Sequence, residues 1–175
     1  DIQRPLSPLV PKKDSVIDAI RIITRSHETD LDILEKQVNE IQEYGYEAYI
    51  NFTSAGYNSL EKNMEFAQFA KKLGLDVIYF ADTESVFEPK YVIDTMKECE
   101  KIGIIAGMHF HDKNGMADLL FEVALANNVK YIDATLLGLG GKWHDGNLTI
   151  EHVLRRFGVN AGYEMTYLKT HLIQQ

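Results

Sequence analysis

The chain has 175 residues, 45% apolar and 25% charged, with a net charge of −8 at neutral pH. That is the balance of a globular domain long enough to bury its own core. The acidity disfavours a nucleic-acid partner, whose phosphates call for a basic face. No apolar run approaches the roughly 20 residues that cross a bilayer, so no membrane partner is expected. The lone Cys99 rules out an internal disulfide and points to a reducing cytoplasm.

Residues 1–16 form a lead-in, opening as DIQRPLSPLVPKKD, polar and punctuated by Pro5, Pro8 and Pro11, with no secretory leader in it. It begins with Asp rather than Met, so a piece of a longer polypeptide is expected. A first strand is predicted over 17–24, ending at the polar Arg25, Ser26 and His27. Leu34, Val38 and Ile41 then share a helix face, followed by Gly45 and a strand over 47–53 that ends at Thr53 and Ser54. Asn58 with Glu61 reads as a capping pair for the next helix, whose stripe is Phe66, Phe69, Ala70 and Leu73. After Gly74 a third strand, 76–81, runs into Asp82 and Thr83.

Pro89 suits the first turn of a helix whose buried face is Val92, Thr95, Met96 and Cys99. On that reading Cys99 is a small core residue. Gly103 leads into the strand 104–110. Met116, Leu119, Leu120 and Val123 mark the following helix, Asn127 or Asn128 its end, and 130–135 the fifth strand. The loop LGLGGKWHDGN precedes a last unit capped by Thr149, with Ile150, Val153, Leu154 and Phe157 on one face. Residues 159–175 read as a C-terminal helix. Gly45, Gly74, Gly103 and the Asn pair each fall where a helix end favours a left-handed residue.

Strand then helix, repeated every 25 to 30 residues or so, means right-handed βαβ units and a parallel sheet. Such a sheet is either open and doubly wound or part of a (β/α)8 barrel. No Gly-rich dinucleotide fingerprint follows the first strand. Polar residues follow nearly every strand instead, as in a barrel whose strand ends face one mouth. A partial barrel over residues 17–158 is therefore expected.

Within MHFHDKNG, His109 and His111 are two apart on a strand and project to the same side, while Met108 and Phe110 face the helices. Two imidazoles in a mouth can hold one divalent cation. The rival reading is two satisfied histidines near a rim. Asp82 and Asp112 could add carboxylates, or could cap the helices that follow them.

GMHFHDKNGMA resembles the metal-binding strand of the metal-dependent lyase and aldolase barrels, the family of hydroxymethylglutaryl-CoA lyase. ADTESVFEP and YIDATLLGLGGKWHDGNLTIEHVL are similar to that family's Asp-Thr segment and its last strand with Gly loop and Gly-Asn pair. AIRIITRSHETDLD and FGVNAGYEMTYL look most like the 4-hydroxy-2-oxovalerate aldolase branch. The likeness runs from about residue 17 to about 168 and begins at about the fourth barrel strand, so strands four to eight are implied.

By that resemblance His109, His111 and Asn147 are metal ligands. Asp82 becomes a mouth residue that contacts substrate or supports the ligands. Thr53 and His27, from their place near predicted strand ends, could contact substrate, and no catalytic base is assigned. Tyr57 and Lys142 also fall near strand ends. The implied activity is metal-dependent retro-aldol cleavage of a small 4-hydroxy-2-oxo acid to pyruvate and an aldehyde. The implied cofactor is manganese, with magnesium, cobalt or zinc as alternatives. A homodimer and an acylating aldehyde dehydrogenase are the implied partners. Two rival readings are acetyl-CoA-dependent Claisen condensation and a non-catalytic barrel fragment. There are departures from the family pattern. Ser85 replaces a usual glycine, Asp118, Leu119 and Leu120 replace its usual helix run ending in asparagine, and Lys142 and Trp143 stand where the CoA lyase has a cysteine.

Overall fold

A computed structural model describes residues 9–25, 29–141 and 146–159. Five parallel strands make one sheet in chain order: β1 (Ala19–Arg25), β2 (Glu47–Thr53), β3 (Val77–Asp82), β4 (Ile105–Phe110) and β5 (Tyr131–Asp133). Between them lie α1 (Leu31–Glu43), α2 (Leu60–Lys72), α3 (Pro89–Ile102) and α4 (Ala117–Ala126), and α5 (Ile150–Arg156) follows. A doubly wound sheet reverses its strand order at a switch point. Strict sequential order has none, so this is a partial (β/α)8-type barrel.

The alternation of the strands separates the two faces. Ile22, Ile50, Phe52, Ile78, Phe80, Met108 and Phe110 are almost wholly buried beneath the helices. The other set, Arg21, Tyr49, Asn51, Tyr79, His109 and Asp133, lines the concave face, in register from strand to strand. Curvature is fixed by one contact. Arg21 on β1 reaches Asp133 on β5 at 2.8 Å, although four strand spacings in a flat sheet measure about 19 Å. Strands four apart in an eight-stranded barrel face each other across the lumen, so the sheet curls through half a turn.

The helices form where their apolar faces predict. Leu34, Val38 and Ile41 are buried on α1, and Val92, Thr95 and Cys99 on α3. Gly45, Gly74, Gly103 and Asn128 all adopt positive φ at the helix ends. Two local expectations change. The cap of α2 is Ser59, whose side chain accepts from Lys62 N, while Asn58 donates to Asn63. On α4 the buried residues are Ala117, Leu120, Phe121 and Ala124, and Leu119 is exposed. That helix is apolar on nearly every side, so its periodicity does not single out one stripe. The predicted C-terminal helix lies almost wholly outside the described residues. Among the described residues, no helix is long and apolar enough to cross a membrane.

Candidate metal centre

Gly107 on β4 has no side chain, and a Cβ there would meet the ring of Tyr79 at 2.7 Å. The ring therefore lies across β4, and the next inward position along the strand belongs to His109. His109 pairs in register with Ala81 on one side and Asp133 on the other. Its Nδ1 is 2.8 Å from Asp133 Oδ2. An anionic carboxylate can only accept there, so Nδ1 carries the proton and Nε2 keeps its lone pair. Burial alone would push the Asp133 carboxyl up, but hydrogen bonds from His109 and Arg21 outweigh it and hold the pKa below the usual value.

His111 follows directly, with its ring centre 5.1 Å from that of His109. The chain returns beside it. Leu148 N donates to Phe110 O and Asp112 N donates to Gly146 O, which sets Asn147 opposite His111 in a short antiparallel bridge. Bridged residues project to the same side. Gly138 makes the approach possible: at φ 67° it has no Cβ, and one would lie 2.8 Å from Asn147 O.

The Asn147 amide nitrogen donates to Leu139 O, while its Oδ1 is buried and accepts no hydrogen bond among the described residues. A buried amide oxygen without a donor costs about 1–3 kcal/mol unless something else meets it. A cation would. Oriented imidazole, second imidazole and orphaned amide oxygen thus fit a divalent metal. Among the described residues no three His, Cys, Asp or Glu converge on one point, so this donor set brings no carboxylate of its own.

The remaining expected residues stand apart from these three. Asp82 lies on the helix-facing side of β3, and its Oδ1 accepts from Val86 N at 2.7 Å and Phe87 N at 3.0 Å. Burial, followed by the opposing bonds from Val86 and Phe87 and the nearby Glu84, leaves its pKa at about 6. Asp112 caps α4 through Ala117 N. Capping is thus the role of Asp112, whereas Asp82 ties down the loop before α3, whose N-cap Glu88 makes no side-chain bond. Thr53 is on the concave side but donates to Thr24 O, and Tyr57 is largely exposed. His27, Lys142 and Trp143 lie outside the described residues.

Two residues absent from the sequence reading enter the site, Asp133 and Arg21. The period-2 alternation of YID and AIRIITR turns both inward, which was the available signal.

The HMGL-like family model matches residues 16–173. The chain is 27% identical over 152 residues to a 4-hydroxy-2-oxovalerate aldolase of Pelotomaculum thermopropionicum, covering 85% of this chain and 44% of that protein. It is 27% identical over 125 residues to 2-isopropylmalate synthase 2 of Caldanaerobacter subterraneus subsp. tengcongensis, covering 71% and 32%. The chain thus spans less than half the length of the curated relatives it matches. An HMG-CoA lyase structure from Brucella melitensis superposes with a TM-score of 0.73 at 17% identity, covering 90% of this chain and 68% of that one.

Proposed function

The chain belongs to the HMGL-like family, and from that premise we propose that it forms strands four to eight of a metal-dependent lyase. The proposed reaction converts a 4-hydroxy-2-oxo acid to pyruvate and an aldehyde. The single observation that carries the reading is the meeting of His109, His111 and the unsatisfied Oδ1 of Asn147 at one strand end. The relatives named as 4-hydroxy-2-oxovalerate aldolases support the choice of substrate class.

In the reaction the 4-hydroxyl gives up its proton, the bond between carbons 3 and 4 breaks, and the hydroxyl-bearing carbon leaves as the aldehyde. The remaining three carbons take a proton and leave as pyruvate. A bound divalent cation, manganese first, would supply Lewis acidity toward the keto oxygen, worth several kcal/mol in general. His109 and His111 would hold it through ring nitrogens, and Asn147 through its amide oxygen. Asp133 keeps the Nδ1 proton of His109 and so leaves Nε2 as the donor. Thr53 and His27 are proposed as substrate contacts, and Asp82 supports the loop beside the mouth.

Two imidazoles and one amide bring no negative charge to a dication, and carboxylate donors both neutralise and position such ions. We expect residues 1–175 alone to bind metal weakly and to release no pyruvate, whereas the full-length protein should bind it tightly and release pyruvate. The test is pyruvate release by full-length protein with added manganese, followed through a coupled reductase. His109→Ala should reduce it at least ~100-fold, as removal of a key electrostatic group commonly does. Absence of pyruvate, with thiol release that depends on acetyl-CoA, would transfer the case to condensation, the reading that the 2-isopropylmalate synthase relative favours.

A further inference from the structure

The two edge strands of the sheet are joined across the concave face by one side chain. Arg21 Nη1 lies 3.0 Å from Asp133 Oδ1 and 2.8 Å from Oδ2, so one cation spans both oxygens of the carboxylate. The guanidinium is stacked 4.4 Å from the centre of the Tyr79 ring. That ring is itself held in place by edge contacts with Tyr49 and Tyr131 and by the space left at Gly107. Arg21 therefore has a fixed platform beneath it and the Asp133 carboxylate ahead of it. The same Asp133 Oδ2 receives the Nδ1 proton of His109 at 2.8 Å.

We propose that Arg21 is a positioning residue for the metal centre. Acting from the opposite side of the lumen, it holds the Asp133 carboxylate in the one rotation that keeps His109 protonated on Nδ1 and aims Nε2 into the mouth. The inference rests on the metal-holding reading of His109. The physical reason is the freedom Asp133 would otherwise have. A carboxylate at the end of a three-residue edge strand can turn about its side-chain bonds, and each turn removes the acceptor from Nδ1. A planar guanidinium stacked on the Tyr79 ring presents Nη1 to both oxygens from one fixed direction, whereas a flexible ammonium without that platform would not hold the carboxylate. Outer partners of metal-bound histidines generally contribute 10–100-fold to affinity.

The experiment uses the full-length protein and manganese itself. Free manganese is followed by electron paramagnetic resonance, and the ring nitrogens of His109 are followed by nitrogen-15 NMR in metal-free protein. Arg21→Gln should weaken manganese binding about 10- to 100-fold and turn a single Nδ1–H form of His109 into a mixture of tautomers. Arg21→Lys should fall between Gln and wild type. A purely structural role would lower the melting temperature and leave both the tautomer and the relative affinity unchanged, and that result overturns the proposal. Should Arg21→Gln fail to fold, Asp133→Asn, which preserves shape, is expected to move both readouts in the same direction. If His109→Ala binds manganese as wild type does, the metal reading itself fails. The tautomer of His109 in the Arg21 variants still decides whether Arg21 orients the ring.

Discussion

Ser85 has a φ of 54°, in the left-handed region where an L side chain costs about 1–2 kcal/mol. It stands where the resembled family usually has glycine. The serine is not idle there: its Oγ accepts from Lys113 N and its carbonyl accepts from Asn114, which joins the loops after β3 and β4. Ser85→Ala should lose the Oγ bond and keep the strain, while Ser85→Gly loses the bond and relieves the strain. Urea unfolding should therefore find the Gly variant about 1 kcal/mol more stable than the Ala variant. Asp82 supplies a second test at this scale. Its folded pKa of about 6 is above the ordinary 3.8, so the folded state holds the extra proton between those values. The resulting stability is complete below about pH 4 and is lost as pH rises through about 6, up to about 3 kcal/mol in all. Asp82→Asn keeps the acceptor for Val86 and Phe87 without the buried charge. Thermal melts at pH 4 and pH 8 should show the variant gaining on wild type at the higher pH, and equal gaps at both would contradict the assignment.

At the scale of elements, the starts of α1 and α2 depend on side-chain acceptors for their orphan amides. Asp30 accepts from Asp32 N and Ile33 N at the head of α1, and Ser59 accepts from Lys62 N at the head of α2. Asp30→Ala and Ser59→Ala should each cost about 1 kcal/mol in chemical denaturation, with Asp30 the larger because it serves two donors. The cap of α2 lies one residue beyond the Asn58 that the pattern predicts, because Asn, Ser and Glu cluster there and several registers satisfy the same pattern. The strand ends were easier to find, since β-rich apolar runs stop abruptly at polar residues. β5 is shorter than expected, three residues against six predicted, because the chain after Asp133 leaves the sheet to build the turn over Leu136–Gly138.

For the molecule as a whole, order should follow burial. β2, β3 and β4 have a partner on each side, whereas β5 pairs only with β4 over three positions and α5 has no fully buried residue. Hydrogen exchange should therefore be slowest in Ile50–Phe52, Ile78–Phe80 and Ala106–Met108 and fastest in α5. Uniform protection would show that the piece unfolds only as one unit. Some features follow from local rules alone and were legible in the sequence. These are the βαβ repeat, the left-handed helix ends, and the shared side of His109 and His111, which depend on 3.6- and 2-residue periods and on glycine's freedom. Asn147 was placed beside the histidines by resemblance, and the backbone bridge to His111 supplies the physical reason. Other features needed the closed curve of the sheet. Asp133 behind His109 is a question of register between β4 and β5. Arg21 meeting Asp133 is a question of curvature, because residues 112 positions apart touch only once the edge strands face each other across the lumen. No local pattern encodes that distance; it is set by how far the whole sheet bends.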